Sequence, residues 1–201
     1  MRFFFLTLYM QNVLGFSPLE TGSAYLPLAF AVGISAGIAT SLIGRIGTRP
    51  VIVAGAIITS AGLYLLSRIP VDGSYLGDLL PGLLVVALGI GGVFVGTTTA
   101  ANAGVPPSLA GLAAALVNSS QQIGGALGLA IFAAIATSRS NDLLAAGRPV
   151  PDAMTEGFHR ALLAASLFLL AAAVVALRTR STRGEHAEEA LTAAAGVPEM
   201  S

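Results

Sequence analysis

Sixty consecutive residues, Leu79 to Ser138, contain no Asp, Glu, Lys or Arg. A helix on a water-soluble fold needs a charged outer face, and this stretch has none to offer. Hydrocarbon favours such a stretch, because Asp, Lys or Arg at the centre of an inserted helix costs about 2.5–3.5 kcal/mol. A Val-Pro-Pro-Ser knot at Val105 to Ser108 divides the run into two passes. Each exceeds the ~20 residues that cross a core ~30 Å thick. Further charge-free blocks run from Phe3 to Leu19, Thr21 to Gly44, Pro50 to Ser67 and Ala161 to Leu177. Their apolarity is continuous rather than alternating, which predicts helices and not a barrel. Helices also satisfy every backbone polar group internally, as lipid requires. The expected fold is an all-α membrane protein of one domain.

The expected spans are residues 3–14, 18–43, 51–66, 80–103, 110–137 and 158–177, with a polar and disordered tail at 178–201. The first holds some twelve residues, about 18 Å of helix, too short to cross. It reads as a truncated helix whose beginning lies upstream of Met1. Ser17-Pro18 pairs an N-cap residue with the first-turn proline that opens the second span. Arg2, Arg45, Arg49, Arg178, Arg180 and Arg183 are expected on one side, and Arg68, Arg139, Arg148 and Arg160 on the other. The first group clusters at span ends, so it is assigned to the cytoplasm, and the C-terminus with it.

Several function classes fall away. With no cysteine there is neither a disulfide framework nor a thiolate metal site. No metal set, nucleophile triad or phosphate loop is visible, so neither an enzyme nor a cofactor is expected. Net charge is zero and no basic patch addresses nucleic acid. The expected surroundings are the lipid bilayer. Gly33/Gly37, Gly92/Gly96 and Gly124/Gly128 form small-xxx-small steps suited to close helix packing. Polar groups within the spans are few. Asn118 and Gln122 share a helix face with Gln121 close by, Thr98 and Asn102 share another, and Gln11 sits near the end of the first span. Such amides either hydrogen-bond neighbouring helices or face a cavity.

Three segments together carry a resemblance: QNVLGFSPLETGSAYLP (Gln11 to Pro27), GRIGTRP (Gly44 to Pro50) and VNSSQQIGGALGLA (Val117 to Ala130). The chain resembles the major facilitator superfamily, and within it the fourteen-span drug:proton antiporter branch of multidrug efflux transporters. The resemblance implies the six-helix C-terminal bundle of such a transporter, with its first helix truncated. It also implies a cytoplasmic loop signature at Arg45, Gly47 and Arg49, although Gly44 stands where that signature has an acid. Gln11, Thr98 and Asn102 would then face a small, drug-like substrate, and Asn118, Gln121 and Gln122 would lie at the interface between halves. The family's position matching Gln121 often holds Arg.

Proton coupling needs an acid or histidine inside the membrane; Glu20 and Asp78 sit at span starts and His159 at a span mouth beside Arg160, so these spans offer none. The protons would therefore be handled by the missing half. The implied protein is a proton-coupled exporter of the bacterial inner membrane, inactive without its N-terminal half. That half would be a separate polypeptide, or a second copy of the chain would stand in for it. The alternatives are a carrier of another metabolite or a sugar, and a non-transporting membrane remnant of a split gene.

Overall fold

The computed structural model describes residues 17–24, 26–69 and 75–178, with Ser181. The first expected span with Gln11, and nearly all of the expected tail, lie outside the described residues. The described helices are α1 (Pro18–Ala24), α2 (Leu26–Ile46), α3 (Thr48–Leu66), α4 (Leu80–Asn102), α5 (Ala110–Ala145) and α6 (Val150–Ala176). A π-helical turn, Tyr75–Leu79, leads into α4, and a 3₁₀ turn, Pro107–Leu109, leads into α5. Among the described residues, five helices are long and apolar enough to cross a bilayer.

Proline and glycine set these boundaries. Pro18, Pro27, Pro50, Pro81 and Pro151 all fall in the first turn of their helices, where a missing N–H leaves no hydrogen bond unmade. Glycines at positive φ follow α2, α4 and α5, namely Gly47, Gly104 and Gly147. At Gly47 the requirement is strictest. It alone joins α2 to α3, with φ 86° and ψ 171°, a conformation almost closed to residues with a Cβ. Its N–H donates to the Ile43 carbonyl (2.9 Å), and the adjoining Thr48 is fully buried.

The polar stretch 138–156, expected as a loop, is largely helix. α5 continues to Ala145 and α6 begins at Val150, so four residues connect them. At 36 residues α5 is about 54 Å long, well beyond a ~30 Å hydrocarbon core. Its charged last turns therefore extend into the headgroup and aqueous region, where Arg139 and Asp142 cost nothing and need not interrupt the helix. Arg148 and Asp152, one turn apart, form an exposed ion pair of 3.8 Å at the start of α6.

The helices pack in the order α2, α4, α3, α6, α5, with only slight contact between α5 and α4. At the centre of this row α3 and α4 run antiparallel with their backbones nearly touching. Gly55 meets Gly89 and Gly62 meets Gly82 across the two helices, and Gly96 faces Ile52; the glycines of each helix are spaced by seven residues. Seven residues, about two turns, bring a helix face almost back to its starting direction, so the small positions of each helix stay on the shared face. A Cβ on Gly55 would fall 2.7 Å from the Gly89 carbonyl oxygen, and one on Gly62 would fall 2.7 Å from the Val86 nitrogen. No side chain fits between these backbones, and close approach of this kind drives helix association in lipid. Leu63, Leu66, Leu79, Leu83 and Val86 form the apolar cluster at one end of the seam. Ala39, Ile43 and Val51 form a second cluster at the other.

Of the glycine steps expected to pack, only Gly92/Gly96 lies in this seam. Gly33, Gly37 and Gly124 have no atom within 4 Å of where a Cβ would sit, and Gly128 meets only the edge of Phe132.

Candidate functional site

The seam and the antiparallel pairing fix the two ends of the molecule. Gly96 opposes Ile52, so the last turns of α4 lie beside the start of α3 and the α2–α3 turn. Ser60 opposes Ser166 and Ile69 opposes His159, so α6 runs antiparallel to α3. Gly157 packs on Ala136 and Ser140, which sets α5 antiparallel to α6. Arg45, Arg49 and Arg178 therefore share one end, and Arg68, Arg139, Arg148 and Arg160 the other.

Two of the expected polar clusters converge on the first end. On α4 the half-exposed Thr98 donates its hydroxyl to the Phe94 carbonyl (2.8 Å), and exposed Asn102 donates Nδ2 to the Thr98 carbonyl (2.8 Å). Both hydroxyl and amide are thus partly satisfied by their own helix. Asn118, Gln121 and Gln122 follow two to three turns into α5, on the other side of the turn at 103–109. All three are exposed, and their side-chain amides make no hydrogen bond among the described residues. The reason is geometric. Phe132 meets Phe168 edge-on at 6.3 Å, and α6 ends eight residues later at Ala176. The opening turns of α5 run past that end, and on the whole of α5 Ala136 is the one buried residue.

The GRIGTRP segment forms the tight turn already described. Arg45 and Arg49 are both exposed and make no ion pair among the described residues, consistent with Gly44 standing in the acid's place. Arg45 closes one end of a shallow surface groove along α2, lined also by Ile34, Gly37, Ile38, Ser41 and Leu42.

The buried polar residues were not singled out by spacing. Ser35 donates to the Leu88 carbonyl and ties α2 to α4. Ser60 donates to the Ser166 carbonyl (2.9 Å) with the two hydroxyls 3.2 Å apart, tying α3 to α6. Serine in an apolar run is a weak signal alone; opposite glycine or serine on a neighbouring helix it marks a crossing point. His159, expected at a span mouth, donates Nε2 to the Ile69 carbonyl (2.8 Å), since a carbonyl can only accept. Among the described residues the acids Asp78, Asp142, Asp152 and Glu156 all lie near helix ends.

Membrane-length helices held by glycine seams, with an amide stripe left open on one of them, define a polytopic helical membrane protein. The chain belongs to the Major Facilitator Superfamily, whose family model matches residues 2–129. Its helices form part of that family's bundle. It is 38% identical to the puromycin resistance protein pur8 of Streptomyces alboniger, over 93% of this chain and 39% of that protein. It is 36% identical to the tetracenomycin C resistance and export protein of Streptomyces glaucescens, over 70% of this chain and 26% of that one. It is 34% identical to the cephamycin export protein CmcT of Amycolatopsis lactamdurans, over 86% and 34%. All three relatives are named for resistance or export. The chain spans about two fifths or less of the length of each.

Proposed function

We propose that the chain supplies one wall of the translocation pathway of an antibiotic exporter, and that the open stripe on α5 is covered by further helices outside this chain. The observation that carries the reading is Asn118, Gln121 and Gln122, exposed and unsatisfied within the charge-free part of α5. An amide facing hydrocarbon without a partner costs several kcal/mol, so the stripe needs protein, substrate or water against it. Thr98 and Asn102, at the same end on α4, extend that polar surface toward a bound substrate. Small-molecule substrates of the kind named for the relatives suit a mainly apolar wall with a few amides. Movement would follow the family's alternating access between two bundles. With no acid or histidine deep in the described spans, proton loading falls to residues of the covering helices. On this reading the molecule sits in the bacterial inner membrane with Arg45, Arg49 and the C-terminus on the cytoplasmic side, a topology that the clustering of arginines at span ends supports.

The test is efflux from a drug-sensitive host. The chain alone is expected to confer no resistance. Fused behind the N-terminal spans of a related exporter, it is expected to restore proton-dependent efflux, which Asn118→Leu or Gln122→Leu reduces far more than Ser119→Ala. Proton-driven resistance from the chain alone, or equal and negligible effects of the three substitutions, would overturn the reading.

A further inference from the structure

A second surface feature involves none of the α4 and α5 polar residues assigned to that pathway. Between α3 and α6, with Ile135 of α5 at its margin, runs an open groove of about 800 Å³. Ala61 and Ala164 line it with small side chains; Ile57, Leu163, Leu167 and Leu170 make it apolar. Ser60 and Ser166 lie along it, but they bond each other and ask nothing of an occupant. One end is different. Arg160 lines it there, beside Tyr64, and the Arg68 guanidinium sits 4.9 Å from the centre of the Tyr64 ring.

We infer that this groove holds an anionic phospholipid, its phosphate at Arg160 and Arg68 and one acyl chain along α3 and α6. Length supports the match. From Arg160 to Leu170 the groove follows ten residues of helix, about 15 Å. Half of a ~30 Å hydrocarbon core is the depth of one leaflet, which is the reach of one acyl chain. Charge supports it too. The residues named above put two guanidiniums at the headgroup end and only apolar and mutually bonded groups below. Glu156, one turn before Arg160, makes no ion pair with it, and the ion pair found among the described residues, Arg148–Asp152, lies farther along the same end. His159 is engaged with Ile69. A basic site at the margin of membrane helices selects an anionic over a neutral headgroup. This inference rests on the membrane embedding of α3 and α6 and not on transport.

The test is lipid retention by the full chain, purified from bilayers of equal phosphatidylglycerol and phosphatidylcholine and examined by native mass spectrometry. Phosphatidylglycerol is expected to be retained over phosphatidylcholine by about fivefold, the scale of one basic residue near a membrane surface. Arg160→Gln is expected to remove most of that preference, Arg160→Lys to keep it, and Arg148→Gln to leave it unchanged. Ala164→Trp fills the groove with every charge in place, so it tests the site even where loss of Arg160 disturbs folding; it is expected to lose the bound lipid. Equal retention of the two lipids would overturn the inference. So would undiminished retention by Ala164→Trp, or a groove occupied by a second copy of the chain in place of lipid.

Discussion

The α3–α4 seam gives the sharpest quantitative expectation. Substituting Gly55 by Ala places a Cβ 2.7 Å from the Gly89 carbonyl oxygen and 3.0 Å from the Val93 nitrogen. Both neighbours are backbone, so no rotamer change relieves the overlap. An ordinary contact begins at 3.4 Å, so the helices must separate by about 0.7 Å along that line. Overpacking of this kind costs about 1–3 kcal/mol. Alanine returns up to about 1 kcal/mol of helix propensity, leaving a net loss of about 0–2 kcal/mol and a deficit of about 1–3 kcal/mol against a glycine replaced in open space. Gly124→Ala, where a Cβ meets nothing within 4 Å, receives the propensity gain without the overlap and is expected to be neutral or stabilising. Gly89→Ala strikes the same seam from the other side. Once the helices have moved apart both methyl groups fit, so the double variant is expected to lose less than the sum of the two. Unfolding of the purified chain in micelles, followed by circular dichroism during denaturant titration, reads these differences. A Gly55→Ala variant as stable as Gly124→Ala, or full additivity across the pair, would refute the close-packed seam.

Other outcomes follow from single contacts. Gly47→Ala imposes a Cβ on a φ of 86° and is expected to cost about 1–3 kcal/mol in the same titration, whereas Gly44→Ala, with open space around it, is expected to cost nothing measurable. Ser60→Ala removes both interhelical contacts to α6 and is expected to lose about 0.6–2 kcal/mol; Ser166→Ala is expected to lose less, because the Ser60 hydroxyl keeps the Ser166 carbonyl. Arg148→Gln breaks an exposed pair of 3.8 Å and is expected to shift stability by less than about 0.5 kcal/mol. Asn118→Leu is expected to leave the stability of the chain by itself unchanged in micelles while lowering efflux by the fused transporter, a split that a residue packed within the bundle would not show.

Helix identity and the starts of α3, α4 and α5, to within a few residues, were legible because their causes are local. Charge-free runs name the spans, and a proline in the first turn with a glycine after the last marks their limits, as at Pro50 and Gly47. The extension of α5 and α6 was hidden, because Arg139, Asp142, Asp152 and Glu156 resemble loop composition. Charge reports departure from hydrocarbon, not the end of a helix. The seam was hidden for another reason: four-residue steps at Gly33/Gly37 and Gly124/Gly128 drew attention, whereas the decisive spacing was seven, repeated on two helices that only tertiary structure brings together. Asn118, Gln121 and Gln122 were legible as polar exceptions, and the structure adds that the described chain leaves them open. Ser60 and Ser166 lie 106 residues apart, and nothing local announces that they meet.

The absence of cysteine makes the membrane embedding directly measurable, since every introduced thiol is the sole label site. Single cysteines at Ser108, Leu127 and Ala146 probe the two ends and the middle of α5 in sealed membranes with an impermeant maleimide. The expected pattern is labelling of Ser108→Cys from the cytoplasmic face, of Ala146→Cys from the outer face, and of Leu127→Cys from neither. Labelling of both ends from one face, or ready labelling of Leu127→Cys, would contradict a bundle that spans the bilayer.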